Sequence, residues 1–199
     1  MQKRLTKTAT TRTRLLDTAG QLFRCQGFHA TGLDELLRRS GTPKGSLYHY
    51  FPGGKEQLAI ETLGHVAAEL EQRTSALLSS RSDPLKALRR LLQFTAQSLA
   101  ESGFRDGCPI AAVTLDVASD RESIRQACEQ GFRNWLKVFV QHLRHAGLTE
   151  RRAKSIATLF LASLEGGLIL SRAQKSVAPL NAIANELALV IQASLAAHA

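Results

Sequence analysis

In successive segments between Leu15 and Leu195 apolar residues recur at helical spacing, and no stretch keeps the two-residue alternation of a strand. This restricts the chain to an all-α fold whose helices can be read from their caps and breakers. Leu15, Ala19, Leu22 and Phe23 share one helical face, and Gly27 is placed to cap that helix. Thr31-Gly32-Leu33-Asp34 reads as a capping box with Thr31 at the N-cap, opening a helix that turns Leu33, Leu36 and Leu37 inward and ends at Ser40-Gly41. Thr42-Pro43 opens a third, short helix, with a hydroxyl at the N-cap and proline at the first position, and Phe51-Pro52-Gly53-Gly54 stops it. A long helix is expected from Lys55 to Ser79, then a loop from Ser79 to Pro84 and a helix from Pro84 to Ser102. Beyond a Gly103–Pro109 loop follow a short helix through Ala118, one opened by Asp120 and stopped at Gly147, one capped by Thr149, and a last one begun by Pro179. That makes about nine helices, with no internal repeat and no low-complexity linker. The expected organisation is a three-helix head over residues 1–55 and a larger helical body over 56–199. Their boundary falls at the long fourth helix, so the two are expected to move together.

Charge divides the chain in the same way. Residues 1–55 hold ten Lys/Arg against three Asp/Glu, whereas the rest holds sixteen against fourteen. A basic end on a near-neutral body points to a polyanion, nucleic acid before an anionic membrane. A merely solubilising surface is the alternative. At 199 residues and 44% hydrophobic, the chain can bury a real core. Cys25, Cys108 and Cys128 are scattered and odd in number, and Met1 to Thr13 lack the apolar centre of a secretion signal, so a reducing cytoplasm is expected. The most apolar run, Ile156–Leu164, stops at Glu165, short of the ~20 residues that span a bilayer.

Residues 31–55 have the mechanics of a helix-turn-helix: two short helices, a glycine-containing turn, and polar, aromatic and basic residues on the second helix. Leu47 and Phe51 stand four apart and should face the core. Lys44, Ser46, Tyr48, His49 and Tyr50 are then left for solvent or DNA. Gly45 removes a side chain where the helix would come close to a duplex. Phenol and ammonium groups both donate to phosphate oxygens, and Thr31 can offer its hydroxyl or the amides of its helix to another. A three-helix module for protein contacts is the competing reading.

These residues carry a family resemblance. Leu16, Ala19, Leu22-Phe23 and Gly27-Phe28, then Thr31, Ser40-Gly41, Gly45-Ser46-Leu47-Tyr48-His49-Tyr50-Phe51 and Lys55-Glu56, resemble the signature of the TetR family of transcriptional regulators. Residues 43–56, with Gly107-Cys108-Pro109-Ile110 downstream, look like its LmrA/YxaF-like branch. Two departures stand out: Ser-Gly-Thr-Pro replaces the usual Ala-Gly-Val-Ser turn, and Pro52-Gly53-Gly54 is one residue longer than the common form. The resemblance implies a homodimer on a double-stranded, palindromic operator, with Lys44, Ser46, Tyr48, His49 and Tyr50 at the DNA and Lys55 on the backbone. It also implies a small-molecule effector in the body and dimerisation through the last two helices. Ala162, Ser163, Gly166 and Gly167 would let a neighbouring helix approach closely, in keeping with that role.

The spacing of Phe132, Trp135 and Phe139 puts all three on one helix face, which suits a core and also the wall of an apolar pocket. The resemblance locates the effector in this region. The candidate contacts are Phe104, Cys108, Phe132, Trp135, Phe139, Phe160 and Glu165, with Trp135 first. Glu165, mid-helix among apolar residues, can anchor a cationic or hydroxylated ligand or hydrogen-bond across a dimer seam. Cys108 can be a redox-sensing thiol or a small buried residue. His142 and His145 read as helix-end cations rather than a metal site.

The expected function is a DNA-binding regulator, a repressor released by a small apolar or aromatic effector. A thiol-based sensor on the same scaffold, working through Cys108 or Cys128, is the alternative. A non-specific architectural DNA binder is a further one. The chain has no nucleophile elbow, P-loop, dinucleotide fingerprint or metal-ligand cluster, so no enzyme activity, cofactor, metal or membrane partner is expected.

Overall fold

The computed structural model describes residues 10–78, 84–117 and 121–197. Among them are nine α-helices and no strand, as the periodicity requires: α1 (Thr11–Gln26), α2 (Leu33–Ser40), α3 (Lys44–Tyr50), α4 (Gly54–Leu78), α5 (Pro84–Glu101), α6 (Pro109–Val117), α7 (Glu122–His145), α8 (Glu150–Gln174) and α9 (Ala178–Ala196). The expected loop at Ser79–Asp83, the end of the short helix at Ala118, the helix start at Asp120 and the basic Lys3, Arg4 and Lys7 lie outside the described residues. The helices pack as two compact units. One draws on Met1–Val66 and Pro109–Glu129, the other on Ala67–Cys108 and Gln130–Ala199.

In the first unit α1 is central. It turns Leu15, Ala19, Leu22 and Phe23 inward, fully buried, and packs against α2, α3 and α6. Burying Leu15, Leu22 and Phe23 stabilises by about 1.5–3 kcal/mol each, and Ala19 by less. α1 starts at Thr10, whose hydroxyl accepts the Thr13 N–H, and ends at Gly27 as the sequence indicates. The two caps that follow differ from expectation. Thr31 is not the N-cap of α2; Gly32 is, without a side-chain bond, and the Thr31 hydroxyl donates backward to the Gly27 carbonyl at 2.6 Å. Likewise α3 is capped by Pro43 rather than Thr42, because the Thr42 hydroxyl is buried against that of Ser40. Gly41, at φ 63°, ends α2 in the left-handed conformation that a side chain would disfavour. α6 buries Ile110, Val113 and Val117 in this unit.

In the second unit α5, α8 and α9 pack on one another. Thr149 caps α8 as expected, accepting the Arg152 N–H, and Pro179 lies in the first turn of α9. The small residues of α8 divide between two faces. A Cβ on Gly167 would stand 2.7 Å from Ile183 Cδ1 and 2.8 Å from Leu180 Cδ2, so this glycine lets α9 of the same chain seat closely. Gly166 has nothing within 4 Å. Contrary to the reading that stopped the apolar run at Glu165, α8 is long and apolar enough by composition to cross a membrane; it is the one such helix among the described residues. Its buried side, including Ile156, Phe160 and Leu164, belongs to the core of this unit.

Candidate nucleic-acid interface and effector site

α3 is short, and its anchoring comes from two side chains. Leu47 and Phe51 are 0% exposed, and the Arg12 guanidinium lies 5.7 Å from the centroid of the Phe51 ring. With these inward, Lys44, Gly45, Tyr48 and His49 are exposed, and Ser46 and Tyr50 are half-buried. Tyr48 is 46% exposed, which is unusual for a large aromatic side chain among exposed neighbours. Lys44 and Tyr48 are one turn apart on the same face. The His49 and Tyr50 rings meet edge to face at 4.9 Å. Nothing lies within 4 Å of the place a Gly45 Cβ would occupy. The helix therefore offers an ammonium, phenols, an imidazole and a hydroxyl above a stretch where its backbone is open to approach. All of these can donate to phosphate oxygens or base edges.

Thr31 and Lys55 sit differently. The Thr31 side chain is buried and its hydroxyl is spent on the Gly27 carbonyl. Lys55 is half-buried: its Nζ donates to the His29 carbonyl at 3.3 Å and lies 4.4 Å from the centroid of Phe28. Burial, then the Arg121 guanidinium, lowers its pKa, and Asp116 opposes that shift.

Three residues that the sequence reading passed over, Asp116, Arg121 and Ser123, hold this turn and the start of α4. Asp116 Oδ2, on α6, accepts the His29 N–H at 2.6 Å. Arg121 lies 5.4 Å from the Phe28 centroid and, with Ser123, donates to the Glu56 carboxylate. Asp116 is the single charged residue of α6, and a lone acid in an apolar helix was the available signal.

In the second unit three of the candidate effector contacts form a chain of tilted rings. Trp135 and Phe139 are 5.8 Å apart, Phe139 and Phe160 4.6 Å. All three are buried, and the Trp135 Nε1–H donates to Thr74 Oγ1 at 2.8 Å. Among the described residues, Phe104 and Phe132 share no ring contact with them; both are half-buried, Phe104 at φ 60°. Cys108 and Glu165 form a second cluster. The Cys108 thiol hydrogen-bonds to the Glu165 carboxyl, burial pushes that carboxyl up to about 7, and Oε1 is shut from solvent with no partner. Burial also raises the pKa of the Cys128 thiol, against the smaller effect of a hydrogen bond with Thr114, whereas Cys25 is exposed. A groove of about 710 Å³ runs between α7 and α8, with Leu136 and Val140 among Arg133, Lys137 and Lys154. None of the seven candidate effector contacts lines it.

α8 and α9 leave an apolar strip uncovered: Leu159, Ile169 and Leu170 on α8 and Leu189 on α9 are all exposed, Ile169 by 58%.

Known proteins resemble the chain in sequence and in fold. Residues 15–62 match the bacterial regulatory proteins of the tetR family, and residues 84–186 match the C-terminal domain of LmrA/YxaF-like transcriptional regulators. The HTH-type transcriptional regulator YxaF of Bacillus subtilis is 35% identical over 94% of this chain and 98% of its own. LmrA of the same organism is 34% identical over 85% and 90%. Among solved structures, the reduced form of Escherichia coli NemR superposes with a TM-score of 0.76 at 27% identity, covering 89% of this chain and 94% of that one. A TetR regulatory protein of Rhodobacter sphaeroides shares the fold at a TM-score of 0.80 and 22% identity, covering 90% and 98%.

Proposed function

The chain belongs to the TetR family of bacterial transcriptional regulators, in its LmrA/YxaF-like branch, and on that premise we propose that it is a cytoplasmic repressor that two copies hold on a palindromic operator and a small apolar or aromatic effector releases. The observation that carries this reading is α3: two fully buried anchors, Leu47 and Phe51, present Lys44, Ser46, Tyr48, His49 and Tyr50 outward around the bare backbone of Gly45. Two such helices about one DNA turn apart need a second copy. The uncovered strip of Leu159, Ile169, Leu170 and Leu189 supplies a surface for it, since apolar patches on a soluble chain are normally covered. The functional division is residues 1–55 for DNA and 56–199 for effector and dimer. The effector acts through its preference for a dimer whose heads are spaced wrongly for the operator. Its proposed contacts are Trp135, Phe139 and Phe160, with Glu165 and Cys108 as polar groups and Phe104 and Phe132 as further candidates.

The test is fluorescence anisotropy on the DNA upstream of the protein's own gene against scrambled DNA, across a salt series. The reading expects tighter binding to the upstream DNA by about a thousandfold. Equal, steeply salt-dependent binding to both would reduce the claim to a general DNA-binding helical protein. A Trp135→Ala protein that still releases DNA normally with an effector would end the pocket assignment.

The contact between Cys108 and Glu165, together with the likeness to NemR in its reduced form, favours one second reading: a thiol sensor on the same scaffold. DNA release by peroxide that Cys108→Ser abolishes supports it. An unchanged response in that variant removes it.

A further inference from the structure

We propose that Lys55 and Asp116 are positioning residues that grip the two ends of one peptide unit and so set the recognition helix, and that Lys55 does not itself touch phosphate. The proposal rests on α3 being the DNA-binding helix. His29 lies in the turn between α1 and α2. Its N–H is held by the Asp116 carboxylate from α6 at 2.6 Å, and its carbonyl by the Lys55 ammonium from α4 at 3.3 Å. Both are hydrogen bonds to charged groups, about twice as strong as neutral ones.

The surroundings lock the same turn. Phe28, next to it, is buried beneath Lys55 and Arg121. The Thr31 N–H donates to the Phe28 carbonyl at 3.2 Å, and its hydroxyl donates to Gly27. Gly27 is at φ 75°, and a Cβ there would stand 2.9 Å from Asp116 Oδ2, so a bare backbone lets that carboxylate come in. From Thr31 the chain passes through only the eight residues of α2 and the connection 41–43 before reaching α3. A shift at His29 is therefore delivered to Tyr48 with little between to absorb it. An ammonium already on a carbonyl and over a ring would have to abandon both to reach a phosphate.

Salt dependence separates positioning from contact. Each phosphate contact contributes about 0.9 to the slope of log affinity against log salt. The probe is a duplex selected from a random library by the unchanged full-length protein. Lys55→Met, which keeps the stem over Phe28, and Asp116→Ala should each weaken binding about tenfold with the slope unchanged. The double variant should bind within about twofold of the weaker single one, because either loss opens the same clamp. Asp116→Asn, which keeps an acceptor for the His29 N–H, should recover most of the affinity. That recovery, with equal thermal midpoints, excludes a misfolded Asp116→Ala. A slope lowered by about 0.9 in Lys55→Met, or unchanged affinity in Asp116→Ala, overturns the clamp alone. Failure of the unchanged protein to select any duplex removes the DNA-site reading and the clamp with it.

Discussion

The seven-residue α3 and the twenty-five-residue α8 both bury one side, yet they leave opposite chemistry in the open. Outward from α3 stand Lys44, Ser46, Tyr48 and His49; outward from α8, beyond a first stretch with exposed Glu150, Arg151, Arg152 and Lys154, stand Leu159, Ala162, Ile169 and Leu170 beside half-buried Gly166. A helix with one buried side needs nothing more for folding, so the character of its other side reports what it meets. Donors and cations on α3 suit a polyanion, and an aliphatic strip on α8 suits another apolar surface. α3 buries one of its seven residues and α8 nine of its twenty-five, yet the chemistry of the uncovered side, more than the depth of burial, separates their roles.

This contrast can be broken in order of effect. Replacing Ile169 and Leu170 together by Asp should convert a dimer to a monomer in sedimentation. Operator affinity should then fall by about a thousandfold through lost avidity. A dimer that survives would mean the strip has another use. On the inward side of α8, Glu165 titrates near 7 in the folded protein against an ordinary value of 4.5. Because the folded state holds the proton more tightly, this group's contribution is complete below about pH 4.5 and is lost as pH rises through about 7. Glu165→Gln should abolish that loss, gaining up to about 3 kcal/mol relative to the unchanged protein between pH 5 and 8 in chemical denaturation. A pH-independent difference would show that folding does not raise the Glu165 carboxyl. Tyr48→Ala should weaken binding about tenfold on all DNA sequences alike, as loss of a phosphate contact does. Selective weakening on one sequence would make Tyr48 a base reader. Smallest is Lys44→Ala, expected to lower the salt slope by about one.

The head was legible in the sequence because its outward residues had no packing reason to be there. Tyr48 beside His49 on a helix whose core positions are Leu47 and Phe51 is hard to explain by folding alone. The caps were less legible. Thr31-x-x-Asp34 reads the same whether the hydroxyl turns forward to an amide of α2 or back to the Gly27 carbonyl, and only the shape of the turn decides. Ser40 and Thr42 are two apart, and nothing in that spacing announces that they bond to each other and shift the start of α3 by one residue. In the body the difficulty is chemical. Trp135, Phe139 and Phe160 have the composition of a pocket wall and of a core alike, and their buried chain of tilted rings serves as core. Nor could the Pro109–Val117 helix be assigned to the unit of α1 from its run of Ile, Ala and Val. Its one acid, Asp116, marks the place of contact, but the partner is a backbone amide 87 residues away.

Gly167 has a consequence for assembly. Because the missing side chain lets α9 seat on α8 within a single chain, the helical pair is finished before any copy arrives. If protomers meet through its outer strip as proposed, they should part and find new partners without unravelling this pair. On the proposed dimer, newly made subunits should then join an existing pool on the timescale of dissociation alone, and a variant subunit carrying a damaged head should spread through that pool and poison mixed pairs.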